Sequence, residues 1–174
     1  MLDTRYAQLL VSIAIGDKAL IPVPRVCSQA INAWACEKGF AQTEITAALA
    51  GTFGTFVRDP YTRLVSAWHL QFSEGGAYWS ALSWHDFVRS LPGSVDIHVR
   101  PQVELVPNAA AIWRYETLER DWRFCCRWLG VEWSALKRVR MNSRPTEPVE
   151  YTDELREVVR EFYREDFRAF GYRP

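Results

Sequence analysis

The chain is poor in cysteine and histidine, shows no excess of charge of either sign, and has no long apolar run. Its four cysteines, Cys27, Cys36, Cys125 and Cys126, form no C-x-x-C pair completed by a second pair or by histidines, so no metal site is expected. Their spacing does not resemble the disulfide framework of a small secreted domain, which fits thiols kept reduced in a cytoplasmic compartment. Cys36 and at least one of Cys125 and Cys126 are expected to be buried as small hydrophobes. Lysine plus arginine equals aspartate plus glutamate, 21 each. Nothing in that balance calls for a nucleic-acid partner, and any anion site must be local. The most apolar early stretch, Leu9 to Ile15, is far shorter than the ~20 residues a membrane helix needs. It has neither a cationic leader nor a small-residue cleavage site, so it is not read as a signal peptide; the protein is expected to be soluble as made, or to have lost an anchor. The absence of G-x-x-x-x-G-K-[ST] argues against a P-loop kinase.

What is present is an alternation of short apolar runs with helical patterns. At 174 residues and 48% hydrophobic content, a single domain over 1–174 is the expectation. Tyr6, Leu9, Leu10 and Ile13 recur at helical spacing, which predicts an amphipathic helix over Asp3–Ile15, broken by Gly16-Asp17. Ala19–Val23 predicts a strand and Ser28–Lys38 a helix closed by Gly39. Thr52–Val57 repeats the unit, with Asp59-Pro60 as N-cap and first-turn proline of the next helix. Trp84–Leu91 predicts a short helix, Ala110–Tyr115 a strand, and Thr117–Leu129 a helix ended by Gly130. A last helix starts at Thr152 and carries the stripe Leu155, Val158, Val159, Phe162 and Phe167. The fold class expected is α/β, one mainly parallel sheet flanked by helices, with its ligand site at the carboxyl ends of the strands. Of the eight tryptophans, Trp34, Trp68 and Trp128 lie on apolar helical stripes and are expected in the core.

The segment Val57-Arg58-Asp59-Pro60-Tyr61-Thr62-Arg63-Leu64-Val65-Ser66-Ala67-Trp68 carries the most chemistry. Arg58 falls where a strand ends and a helix begins, so its guanidinium can reach an anion above the sheet edge. Ser66 follows by about two helical turns, which makes a shared ligand possible. Asp59 and Arg63 are four apart and can instead pair and stiffen the turn. This string resembles the 3′-phosphate motif R-D-P-x-x-R-x-x-S of the carbohydrate branch, Golgi-type and bacterial, of the sulfotransferase superfamily. Those enzymes use 3′-phosphoadenosine-5′-phosphosulfate (PAPS), and the resemblance gives Arg58 and Ser66 the 3′-phosphate of that nucleotide. It implies the P-loop-like sulfotransferase fold.

The family's second motif, a V-P-K-V-x-C-S/T loop that wraps the 5′-phosphosulfate, is similar to Val23-Pro24-Arg25-Val26-Cys27-Ser28-Gln29-Ala30. Backbone N–H groups and a helix dipole stabilise anionic oxygens in such a loop. The resemblance therefore implies a nucleotide site of Arg25, Val26, Cys27, Ser28 and Gln29, with Arg58, Ser66 and Arg144, the last in the polar loop Asn142-Ser143-Arg144. Arg25 stands where relatives carry the catalytic lysine, Cys27 replaces a glycine, and Gln29 and Ala30 replace hydroxyl residues.

Three further segments follow in the family's order. Ile97-His98-Val99-Arg100-Pro101-Gln102 resembles its H-x-x-P-Q element, Arg114-Tyr115-Glu116-Thr117-Leu118 its R-Y-E-x-L strand end, and Tyr163 to Tyr172 its Y-x-x-D-F-x-x-F-G-Y terminus. Sulfuryl transfer needs a base for the acceptor hydroxyl. His98 is the first candidate, ahead of His69 on the phosphate-motif helix and His85 at a solvent-facing helix start, and Glu116 is taken as structural. The resemblance thus implies a PAPS-dependent sulfotransferase that uses no metal, with Arg25 and His98 as catalytic residues, while the cysteine usage is what points to a cytoplasmic location. Its partners would be PAPS, spent 3′,5′-adenosine bisphosphate (PAP) and a carbohydrate or glycolipid hydroxyl. The alternative is a degenerate member that keeps the nucleotide or only the fold and serves as a scaffold. The acceptor and the oligomeric state are beyond the sequence, because acceptor choice lies in pocket shape.

Overall fold

A computed structural model describes residues 10–72, 82–94, 96–137 and 149–174. The chain divides into two compact units, Met1–Arg58 with Glu104–Val139 and Asp59–Val103 with Arg140–Pro174.

The first unit is a five-stranded sheet with helices. Strand β1 (Val11–Ile15) pairs antiparallel with β2 (Lys18–Ile21), Ile15 facing Lys18. The region expected to be helical up to Ile15 is therefore a strand from Val11 on, and residues 3–9 lie outside the described ones. β-Branched Val11, Ile13 and Ile15 alternate at period two, and Gly16, at φ 61°, supplies the positive-φ position of a two-residue hairpin turn. Helix α1 (Ser28–Glu37) follows β2, then β3 (Gln42–Glu44) and the short α2 (Ile45–Leu49). β3 returns antiparallel to β1. β4 (Thr52–Val57), β5 (Ala111–Arg114) and α6 (Leu118–Leu129) complete the unit. β4 pairs in parallel with β2 on one side and with β5 on the other.

The order β3-β1-β2-β4-β5 makes the sheet mixed, which corrects the expectation of a mainly parallel one. Parallel pairing is confined to β2, β4 and β5, because helical crossovers join them, whereas β1 reaches β2 by a tight turn. Ile13, Leu20 and Phe56 on one face of the sheet and Ile21 and Phe53 on the other are all buried, so the sheet is covered on both sides. Trp34 of α1 meets Trp122 of α6 edge to face at 4.8 Å. Gly54 of β4 lies under the Trp113 ring, where an added Cβ would come within 2.6 Å of the ring, so only glycine fits that crossing.

The second unit is helical: α3 (Pro60–Trp68), α4 (Trp84–Arg89), α7 (Asp153–Phe162) and α8 (Arg164–Phe170). The one-turn α5 (Gln102–Leu105) covers the stretch of chain where this unit gives way to the first. Asp59, Ser83 and Thr152 cap α3, α4 and α7 by accepting from the amides of Thr62, Asp86 and Leu155. Leu64, Trp68, Phe87, Leu155, Val159 and Phe167 meet in one buried cluster. The expected single C-terminal helix is broken at Tyr163, whose backbone sits at φ −103°, ψ 20°. The break turns the Tyr163 side chain inward, where it is buried and its hydroxyl donates to the Val99 carbonyl at 2.5 Å.

Trp34 and Trp68 are buried as expected, and Trp128 is half-buried against Trp113. Cys125 and Cys126 are buried, whereas Cys36 is exposed. Cys36 lies in the last turn of α1, away from the buried stripe of Ile31, Trp34 and Ala35. Among the described residues, no helix is long and apolar enough to cross a membrane.

Candidate functional site

The three parallel strands β2, β4 and β5 run side by side, so their carboxyl ends lie along one edge of the sheet. The chain leaves β2 into the loop 22–27, leaves β4 at Arg58, and leaves β5 at Tyr115. Because β4 is the middle strand, Arg58 emerges between the other two exits. Its Nη1 donates to the Arg25 carbonyl at 3.2 Å. Its guanidinium carbon lies 4.3 Å from the centre of the Tyr115 ring, within the range of a cation–π contact.

The loop after β2 is locally strained. Arg25 has φ 65° and Cys27 φ 49°, both left-handed conformations in residues that bear a Cβ. Each costs about 1–2 kcal/mol for a non-glycine residue. The Cys27 backbone adopts the conformation that glycine takes freely. Val26 is fully buried and anchors the loop, its amide donating to Val23 O at 3.1 Å.

Cys27 is also the N-cap of α1, and its side chain makes no capping bond to the helix. The first turn of α1 carries no acidic residue, so nothing on that turn opposes the positive end of the helix dipole. A left-handed residue followed by a helical one turns successive N–H groups toward a common concavity, the backbone arrangement that holds anions. Ser28 and Gln29 open that helix, Ser28 half-buried and Gln29 exposed. Burial pushes the Cys27 thiol up to about 12, against the pull of the Arg58 guanidinium. The thiol is therefore protonated at neutral pH, which suits an anion's neighbour better than a thiolate would.

In the second unit Ser66 is half-buried on α3. Arg63 is 1% exposed and donates to the carbonyls of Arg100 at 2.7 Å and Ile97 at 3.3 Å. Those bonds bracket His98. Tyr163 holds the Val99 carbonyl between them, and the buried Asp166 carboxylate accepts from the amides of Gln102 at 2.8 Å and Val103 at 2.9 Å. Three buried polar side chains, Arg63 from the Arg58–Ser66 string and Tyr163 and Asp166 from the C-terminal motif, thus hold residues 97–103.

Within that turn the Asp96 carboxylate accepts from the His98 backbone amide at 2.7 Å and lies 2.7 Å from Nδ1. With Asp96 accepting from Nδ1–H, the basic lone pair of the ring lies on Nε2. His69 is half-buried, His85 is exposed at the start of α4, and Glu116 is exposed. Arg144 lies outside the described residues.

Arg25, Cys27, Ser28 and Arg58 are thus brought together in the first unit, while Ser66 and His98 belong to the second. Sequence reasoning missed Tyr115 and Asp96. Their signals were a tyrosine directly after a strand and an Asp-x-His spacing, neither of which stands out alone.

No group of three or more histidine, cysteine, aspartate or glutamate side chains that could hold a metal ion occurs among the described residues. No curated protein and no solved structure matches the chain. A family model does: the one described as the sulfotransferase family matches residues 41–173. That span takes in the Arg58–Ser66 string, the His98 turn and the Asp166 clasp, and it begins after the Arg25 loop. By a match over more than half its length, the chain belongs to the sulfotransferase family.

Proposed function

We propose that this sulfotransferase-family protein moves a sulfuryl group from PAPS to a hydroxyl of a carbohydrate or glycolipid acceptor. The observation that carries the proposal is the 3.2 Å hydrogen bond from Arg58 to the Arg25 carbonyl. It joins the arginine of the 3′-phosphate motif to the loop of the 5′-phosphosulfate motif, as one nucleotide carrying phosphate at both ends requires. The donor set fits a multiply charged anion: two arginines, a serine hydroxyl and the amides at the start of α1.

In this reaction the acceptor oxygen attacks sulfur in line while the bond from sulfur to the 5′-phosphate oxygen breaks. The acceptor's proton passes to Nε2 of His98, whose ring Asp96 orients. Arg25, Ser28 and the α1 amides meet the charge that develops on the leaving phosphate. Arg58 and Ser66 hold the 3′-phosphate. The roles of Ser66 and His98, which lie in the second unit, come from their motifs, as does that of Arg144.

Calorimetric titration with PAP, beside AMP as the control without a 3′-phosphate, tests the proposal. PAP is expected to bind and AMP to bind far more weakly. Arg58→Ala should weaken PAP by roughly ten- to a hundredfold, the loss expected for a charge-assisted contact. Equal affinity for PAP and AMP overturns the 3′-phosphate assignment.

One observation favours a second reading, a nucleotide-binding scaffold without turnover: an arginine at φ 65° stands where relatives carry the catalytic lysine. Arg25→Lys separates the two. Activity rises if the loop is only weakened by the planar fork, and stays absent if the acceptor site is lost.

A further inference from the structure

We infer that Arg58 braces the 5′ loop in addition to reading the 3′-phosphate, and that Tyr115 is the positioning residue that holds Arg58 to this task. Strand order sets the geometry: the exit of β4 lies between those of β2 and β5, and Arg58 is correspondingly held from both sides. On one side its Nη1 grips the Arg25 carbonyl at 3.2 Å. On the other its guanidinium lies 4.3 Å from the Tyr115 ring centre.

The grip matters because of where it falls. Arg25 and Cys27, both at positive φ, persist in that strained form only if their surroundings hold them there. The loop's own bond, Val26 N to Val23 O at 3.1 Å, closes one turn. The bond from Arg58 fixes the carbonyl of the first strained residue, and a charge-assisted hydrogen bond is about twice as strong as a neutral one. A planar guanidinium with five N–H groups can stack on a ring, hold a carbonyl and present donors to a second acceptor, which a lysine ammonium cannot do together.

Tyr115 is itself fixed. The Asp121 carboxylate accepts from the Arg114 amide and the Thr117 hydroxyl, both at 2.9 Å, so the backbone is pinned on either side of the tyrosine. Tyr115 thus acts through Arg58 on the shape of the 5′ loop. The consequence for nucleotide binding rests on the donor-site reading proposed above; the bracing of the loop does not.

Amide hydrogen exchange on the unliganded protein reads the brace directly. Exchange at Val26 should quicken about tenfold or more in Arg58→Ala and about three- to tenfold in Tyr115→Ala, while the sheet amide of Leu20 is unchanged. Tyr115→Phe, which keeps the ring face, should exchange at the wild-type rate. Tyr115→Ala should also weaken PAP by a similar factor, although it removes no phosphate ligand.

Unchanged Val26 exchange in both alanine variants overturns the brace, even if Arg58→Ala loses PAP. Quickened Val26 exchange in those variants, when the wild-type protein binds no PAP, upholds the brace and sinks the donor-site reading instead. If Arg58→Ala does not fold, the pair Tyr115→Ala and Tyr115→Phe decides the matter.

Discussion

Arg25 and Cys27 hold strained conformations that shape a loop, and the chemistry of Cys27 fits its place there. Its thiol is half-buried and pushed up to about 12, so near neutral pH it carries roughly a thousandth of the thiolate of an unperturbed cysteine. Cys36 is exposed on α1. Iodoacetamide at pH 8 should therefore modify Cys36 first and leave Cys27 intact until the chain unfolds, as peptide mass mapping over time would show. Equal rates at the two positions would mean that the native loop opens far more easily than its packing indicates. The raised thiol also carries a sign for stability. Its contribution is present below the ordinary cysteine pKa and is lost as pH rises toward about 12. At this scale the place of Arg58 between strand and helix was legible, because Thr52–Val57 and Asp59-Pro60 mark the two elements on either side of it. Tyr115 was not, since a ring's role depends on which strand lies beside it, and strand order is not written in local sequence.

Helix starts and stops were the most legible elements, because caps are local chemistry. Asp59-Pro60 and Thr152 open α3 and α7 where expected, and Gly130, at φ 72°, closes α6. The misread elements lacked a local signature. Val11–Ile15 is too short for period two and period 3.6 to be told apart, and only its pairing with β2 and β3 decides for a strand. β3 is polar and exposed at all three residues, so no apolar alternation announces it. The break at Tyr163 answers a carbonyl 64 residues away in sequence.

The junction of β5 and α6 is likewise held by a group whose role is not apparent from sequence. Burial alone would raise Asp121, but bonds from the Arg114 amide, Arg120 and Thr117 outweigh it and hold the carboxyl below its ordinary value. A lowered folded pKa stabilises above the ordinary carboxylate range, and that contribution is lost as pH falls through the folded value. Asp121→Asn should accordingly cost roughly 1–3 kcal/mol at pH 7. The gap from wild type should close as pH drops below about 4. Urea unfolding at a series of pH values reads this, and a gap that persists at pH 2 would assign the cost to shape rather than charge.

Across the whole molecule, the order of the motifs was legible although the sheet was not. The Arg58–Ser66 string, the His98 turn, the strand end at Tyr115 and the Asp166 terminus come in that order along the chain, and the family match spans all four. The structure gives this order a physical reason. Arg63 and Asp166, far apart in the chain, hold the two ends of the segment 97–103 that carries His98, while the parallel exits of β2, β4 and β5 gather Arg25 and Arg58. The chain carries no net charge, so no general field attracts anions, and the proposed nucleotide site depends on local groups, the two arginines together with hydroxyls and the amides at the start of α1.

Such a site has a signature in thermal unfolding. A ligand bound only by the native state stabilises it by about 2.7 kcal/mol at a hundred times its Kd. For a chain of this size each kcal/mol raises Tm by roughly 2–4 °C. PAP at that excess should lift Tm by about 5–10 °C, whereas AMP at the same concentration should lift it little. Because the PAP effect comes from a few charge-assisted contacts rather than a diffuse field, moderate salt should reduce it without abolishing it. Equal shifts from PAP and AMP would mean that the gathered arginines do not distinguish a 3′-phosphate, and a PAP shift that vanishes entirely at about 0.5 M salt would point to nonspecific anion binding.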